Sequence, residues 1–184
     1  MQCMNPNKST VIAISIVLIG LSLHAQGSDT RISPVALATV SYKDSYIKIT
    51  YGQPSKRKRQ IFGGLVPYNE VWRTGANEAT EITFTRDVRI LGKTIQAGTY
   101  SLFTIPNPTE WIIILNKDVG LWGAYNYNSR QDYYRWNVPV KKYGDKLYER
   151  LTIAFNERNN QADLNICWDD ICVTMTIEFN EPKK

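Results

Sequence analysis

Residues 162–179 read ADLNICWDDICVTMTIEF, and the fold follows from this stretch. Leu164, Ile166 and Trp168 alternate with polar or small neighbours, and Ile171, Val173, Met175, Ile177 and Phe179 do the same after the break. An alternation of period two marks a strand with one face buried. Asp169-Asp170 lies between the two runs as a two-residue hairpin loop, so Trp168 faces Ile171 and Cys167 faces Cys172 across an antiparallel ladder. The residues flanking such a loop form a hydrogen-bonded pair. The cysteines are therefore a non-hydrogen-bonded pair, with Cα atoms about 4.5 Å apart and both side chains on the face opposite the apolar one. A disulfide accepts that spacing, and an oxidising compartment would favour it over two free thiols. So short a closed loop contributes little entropy, and a redox role stays open.

Upstream, the same short runs of Val, Ile, Thr, Tyr and Phe recur between turn residues. They fall at 37–42, 46–51, 81–85, 88–91, 99–105, 111–116, 133–140 and 147–155, with Ile47, Ile49 and Tyr51 on one face of the first hairpin. The run Trp111-Ile112-Ile113-Ile114-Leu115 is apolar at every position, which reads as a central strand covered on both sides. No window keeps a helical rhythm for three turns. The chain is thus expected to be all-β, an antiparallel β-sandwich of about ten strands, with a β-barrel as the alternative. Two irregular segments interrupt the strands, at 55–80 and 117–132. The first holds Ile61, Phe62, Leu65, Val66, Val71 and Trp72, too much apolar surface for a solvated loop, so it is expected to pack on the sheets.

The amino terminus and Lys8 precede an apolar run from Val11 to Leu23, followed by His24-Ala25-Gln26. This is the pattern of a secretory signal peptide, residues 1–25, cleaved after Ala25. As a helix the run would rise only about 20 Å, short of the roughly 30 Å hydrocarbon core. Cys3 precedes the run instead of standing at the cleavage point, so the expected product is unlipidated, periplasmic or secreted, and without a membrane anchor. Residues 26–184 then form a single domain, large enough to bury roughly 70% of its unfolded surface. The formal net charge of +5 is mild, and Lys8 leaves with the leader. The run Lys56-Arg57-Lys58-Arg59 reads as a solvated loop, and no nucleic-acid partner is expected. The only histidine, His24, also leaves with the leader. Without imidazole the mature chain has no Ser-His-Asp or Cys-His nucleophile and no histidine metal site, and no cofactor is expected.

At Pro54-Ser55, at 61–68 (IFGGLVPY) and above all at 71–80 (VWRTGANEAT), the chain resembles a bacterial secreted family, the one numbered twenty-nine eleven among domains of unknown function. The likeness continues through 97–103 (AGTYSLF), Ile105-Pro106, Glu110-Trp111, Asn116-Lys117 and Trp122-Gly123-Ala124, nearly the whole mature chain. One departure is Lys58 before Arg59, where the family tends to have glycine. The resemblance implies export and a β-sandwich, and it carries no established activity.

The candidate site is the 72–78 stretch. Arg73 can grip a carboxylate or phosphate at two points, Trp72 can stack, and Asn77 and Glu78 can hydrogen-bond hydroxyls. The competing reading makes Arg73 and Glu78 an internal ion pair with Trp72 as a core plug. Arg59, Trp122, Tyr127 and Asp132 complete the candidate set, if both irregular segments share one end of the fold. The leading expectation is a non-enzymatic exported protein that binds a small polar or sugar-like ligand or an envelope partner. A carboxylate-based hydrolase built on Glu78 with Asp132 or Glu110 and a structural envelope protein are the alternatives.

Overall fold

The computed structural model describes residues 31–180. The expected leader 1–25, with Cys3, His24 and the expected cleavage after Ala25, lies outside the described residues. Eleven antiparallel strands follow one another: β1 Val35–Tyr42, β2 Ser45–Gly52, β3 Glu81–Phe84, β4 Val88–Ile90, β5 Lys93–Ile95, β6 Gly98–Ile105, β7 Glu110–Asn116, β8 Asp132–Lys142, β9 Tyr148–Arg158, β10 Gln161–Asp169 and β11 Ile171–Phe179. Among the described residues the helical content is a 3-10 turn, Ser129–Gln131, and no helix is long and apolar enough to cross a membrane.

The strands form one path in the order β1-β2-β3-β6-β7-β8-β11-β10-β9, with β4 on β11 and β5 on β4. Strand β8 joins the two halves. Its first part pairs with β7 and its last residues, from Val140, pair with β11. The edge strands β1 and β9 lie against each other without a ladder, so the sheet is nearly closed into a barrel. The all-β antiparallel fold is therefore the one the sequence implies, and the two packed faces are halves of one continuous sheet.

Register explains the core. Ile47, Ile49 and Tyr51 are buried on β2, and Leu164, Ile166 and Trp168 on β10 meet Met175, Val173 and Ile171 on β11. Strand β7 is covered on both sides, as its composition requires. Trp111, Ile113 and Leu115 enter the main core, while Ile114 packs outward with Phe103 and Ala79 beneath Leu121, Ala124 and Tyr127 of the second irregular segment. The short strand β5 escapes a reading by periodicity because only Ile95 of its three residues is buried. The ends of β8 and β9, such as Lys141-Lys142 and Glu157-Arg158, are held by the ladder and carry no apolar alternation.

The hairpin at 162–179 has the register deduced above. Cys167 stands opposite Cys172, Trp168 opposite Ile171, and Asp169 takes the left-handed conformation at φ 58° that a tight two-residue loop demands. The cysteines form a disulfide with Cα atoms 4.1 Å apart. Alkylation of the folded protein without reductant should leave Cys167 and Cys172 unmodified, and reduction should lower stability by no more than about 2 kcal/mol because the closed loop is short. Free labelling of either cysteine in the native protein would contradict the bridge.

Candidate functional site

The segment between β2 and β3 is built from short pieces, each fastened to a different strand. After Pro54 ends β2, Ser55 bridges Arg150 of β9, and the Lys56 N–H donates to the Glu149 carbonyl at 2.6 Å. The Lys56 ammonium then pairs with Asp169 of the cysteine hairpin. The Arg57 N–H donates to the Glu149 carboxylate at 2.9 Å. Arg57 and Lys58 take left-handed conformations, φ 50° and 59°, so Lys58 occupies a conformation that glycine would adopt freely. Such residues cost about 1–2 kcal/mol each and persist because neighbouring contacts fix them.

The chain next dives into the core. Ile61, Phe62 and Val66 are buried, and a compact turn returns Val66 N–H to the Ile61 carbonyl at 2.9 Å. Gly63 belongs to this turn, at φ 76°, and a Cβ there would stand 2.7 Å from the Tyr68 ring. Trp72 then makes a two-hydrogen-bond bridge to Thr104 on β6. Its ring is stacked on Trp168 at 5.9 Å and meets Trp111 edge-on at 6.1 Å, while its indole N–H donates to the Gly75 carbonyl at 3.2 Å. Trp72 is thus a core plug. The tight turn that follows is closed by the Thr80 hydroxyl on the Thr74 carbonyl, and Ala76 lies on Gly52 so closely that a Cβ on Gly52 would sit 2.0 Å from the Ala76 oxygen.

The two charges of the turn diverge, because Thr74 and Asn77, at φ 54° and 66°, swing the chain between them. Glu78 pairs with Arg31 at 2.7 Å, not with Arg73, and its carboxylate is 45% exposed. Its own backbone N–H first, and Arg31 second, hold that carboxyl below the usual carboxylate range. It lines a small cleft of about 300 Å³ with Arg31, Glu81 and Gly120, whose N–H donates to Glu81 at 2.8 Å.

Arg73 goes the other way, into a cleft of about 390 Å³ that also receives Arg57, Arg59 and Asn77, with Trp72, Trp168 and Val66 among its apolar walls. Burial pushes the Arg73 guanidinium pKa down, against an opposing effect of the Tyr125 phenol. An arginine nonetheless stays charged in a protein. Its Nε is buried and has no hydrogen-bond partner among the described residues. Arg59 donates Nε to the Lys56 carbonyl at 3.0 Å and Nη2 to the Ser55 carbonyl at 2.6 Å. The guanidinium of Arg57 has no partner among the described residues. Asn77 donates Nδ2 to the Ser33 carbonyl at 3.3 Å. Glu70 is the one carboxylate of the lining.

The second irregular segment meets the first through its backbone. Glu78 and Trp122 form a bridge, and the Gly123 N–H donates to the Asn77 carbonyl at 2.9 Å. Its side chains do not line the arginine cleft. Trp122 is 58% exposed. Tyr127 donates to Asp132 at 2.7 Å, and Arg135 donates both to Asp132 and to the Tyr127 hydroxyl. Asn116 of β7 adds a bond to the other Asp132 oxygen at 2.7 Å. Tyr127 and Asp132 therefore fasten the segment to β7 and β8. Sequence reasoning passed over Arg57, read as part of a solvated run, and Trp168, read only as a hairpin core residue. The run of four cations next to an arginine-bearing buried loop was the available signal.

A family model described as a protein of unknown function, DUF2911, matches residues 33–177. No curated protein and no solved structure matches the chain significantly.

Burial, then the bond to Asp132, pushes the Tyr127 hydroxyl pKa up to about 12. A raised phenol pKa favours the neutral folded form, so this contribution is complete below the ordinary tyrosine value near 10 and is lost as pH rises through about 12. The Tyr100 pKa is also raised, by burial first, so ultraviolet titration should show late tyrosinate formation that Tyr127→Phe reduces by one group. An unchanged titration in the variant would contradict the assignment.

Proposed function

Because the chain belongs to the DUF2911 family of proteins of unknown function, its activity has to be read from the site, and we propose that it is a binding protein that takes a small polar ligand in the arginine cleft. The observation that carries this reading is the cleft lining, where Arg57, Arg59 and Arg73 stand against one carboxylate, Glu70, and the partly desolvated Arg73 guanidinium has no ion-pair partner among the described residues. An excess of partly desolvated cations lowers stability, a cost of the kind that binding sites commonly carry. The volume of about 390 Å³ falls at the low end of the range of about 300–1,000 Å³ usual for small-molecule sites, and the walls join an apolar floor to a few polar groups in the usual way.

A hydrolytic reading has less support. Glu78 is ion-paired and its carboxyl is held ionised, whereas a general acid needs a raised pKa. Asp132 is committed to Tyr127, Asn116 and Arg135. We place the binding outside the cytoplasm, a reading supported by the leader-like residues 1–25 and by the disulfide.

The test is Arg73→Gln, read by thermal melting with and without a panel of small sugars, organic acids and phosphate esters. Removal of an unpartnered cation should leave the melting temperature of the free protein unchanged or raise it. A compound that stabilises the wild type should lose its effect on the variant. A loss of about 3–5 kcal/mol in the free variant would instead make Arg73 a structural partner and overturn the proposal.

A further inference from the structure

The charge and donor pattern of the cleft specifies its ligand more closely, on the premise that the binding function proposed above holds. Three guanidinium groups line it against the single carboxylate of Glu70. Lys56, the neighbouring cation, is already neutralised by Asp169 and adds nothing to that excess. The donors are divided unequally. Arg57 and Arg73 have no side-chain hydrogen bond or ion pair within the described residues, and Arg59 has spent Nε and Nη2 on two carbonyls, which fixes its plane and leaves Nη1. A fixed guanidinium beside two uncommitted ones suits an anion with more than two acceptor oxygens, because Arg57 and Arg73 can each present a pair of N–H groups and Arg59 adds its Nη1.

A carboxylate offers one charge and two oxygens. A phosphate monoester carries about −1.5 to −2 charge at neutral pH and three acceptor oxygens, which matches three cations offset by one acid. Arg57 and Lys58 take left-handed conformations, φ 50° and 59°, and the Arg57 N–H is bonded to the Glu149 carboxylate, which fastens the basic loop to β9. Inorganic phosphate alone would fill little of the about 390 Å³. The rest of the lining includes Asn77 and Glu70 as polar groups and Val66, Trp72 and Trp168 as apolar ones, a mixture suited to the hydroxyls and the carbon skeleton of a compact polyol or sugar.

We infer that the ligand is a small, soluble phosphate monoester of a sugar or polyol, its phosphoryl oxygens held by Arg57, Arg59 and Arg73 and its hydroxyls by Asn77 and Glu70.

Calorimetric titration decides this with glucose 6-phosphate, ribose 5-phosphate and glycerol 3-phosphate, set against glucose, glucuronate and inorganic phosphate. At least one ester should bind ten times more tightly than each of the three controls, and its affinity should weaken with added salt. Arg57→Gln and Arg73→Gln, both checked for an intact melting transition, should each lose at least tenfold. Equal binding of glucose or glucuronate would overturn the phosphate inference while leaving a binding protein. So would stabilisation only by other members of the melting panel. Co-sedimentation with phosphatidylcholine vesicles containing phosphatidic acid, together with no binding of the soluble esters, would show a lipid headgroup as the source and overturn the soluble ligand. Silence of every ester, control and panel compound would remove both readings.

Discussion

Phe62, Trp72, Trp111 and Trp168 meet beneath the arginine cleft, with Phe62 4.9 Å from Trp111 and Trp72 stacked at 5.9 Å on Trp168. Two of these rings come from the irregular 55–80 segment, one from β7 and one from β10, so the cluster ties the loop to both halves of the sheet. An ordered loop of this length loses about 1–2 kcal/mol of backbone entropy per residue, and burial of a large side chain returns only about 1.5–3 kcal/mol. The loop is therefore held by a few large groups together with the backbone bridges at Ser55, Trp72 and Glu78. Aromatic pairs in edge-on or stacked geometry add about 0.5–1.5 kcal/mol each beyond the area they bury.

This anchoring gives the cleft its electrostatic character. Trp72 is fixed by its rings and by the Thr104 bridge, so the next residue, Arg73, has little choice of direction, and its guanidinium is carried into a partly desolvated place with no ion-pair partner among the described residues. Arg59 is fixed by carbonyls of its own loop, and the loop by Lys56 on Asp169 and Arg57 on Glu149. The cysteine hairpin has a part in both walls, since Trp168 supplies the floor and Asp169 holds the basic loop. Charge has been arranged before any ligand arrives, which spares the binding event the cost of ordering it.

Much of the fold was legible because period-two burial and turn chemistry act locally. The hairpin from Ala162 to Phe179 gave its register and its cysteine pairing through one Asp-Asp loop, and the fully apolar Trp111–Leu115 run announced a strand covered twice. Strand β5 was hidden because three residues with one buried side chain leave no pattern. The site was legible in its residues and not in their directions. Trp72, Arg73 and Asn77 were singled out together with Glu78, yet two left-handed residues, Thr74 and Asn77, send the charges apart, and nothing in side-chain chemistry marks threonine for that conformation. Arg57 and Trp168 joined the cleft through contacts between distant parts of the chain, where sequence proximity carries no information. The choice of Tyr127 and Asp132 as ligand groups rested on residue type alone, and the same groups serve equally well as a fastening.

The central claim is that the aromatic cluster makes the 55–80 segment as rigid as the sheet and so holds the cationic cleft ready without ligand. Native-state hydrogen exchange of the free protein measures this directly. The amides of Val66 and Thr80, bonded within the loop, and of Trp72 and Ala76, bonded to β6 and β2, should exchange as slowly as those of β7 and β10, through global opening alone. Exchange of these four amides much faster than the strand amides would show a loop that opens independently, and would contradict the account.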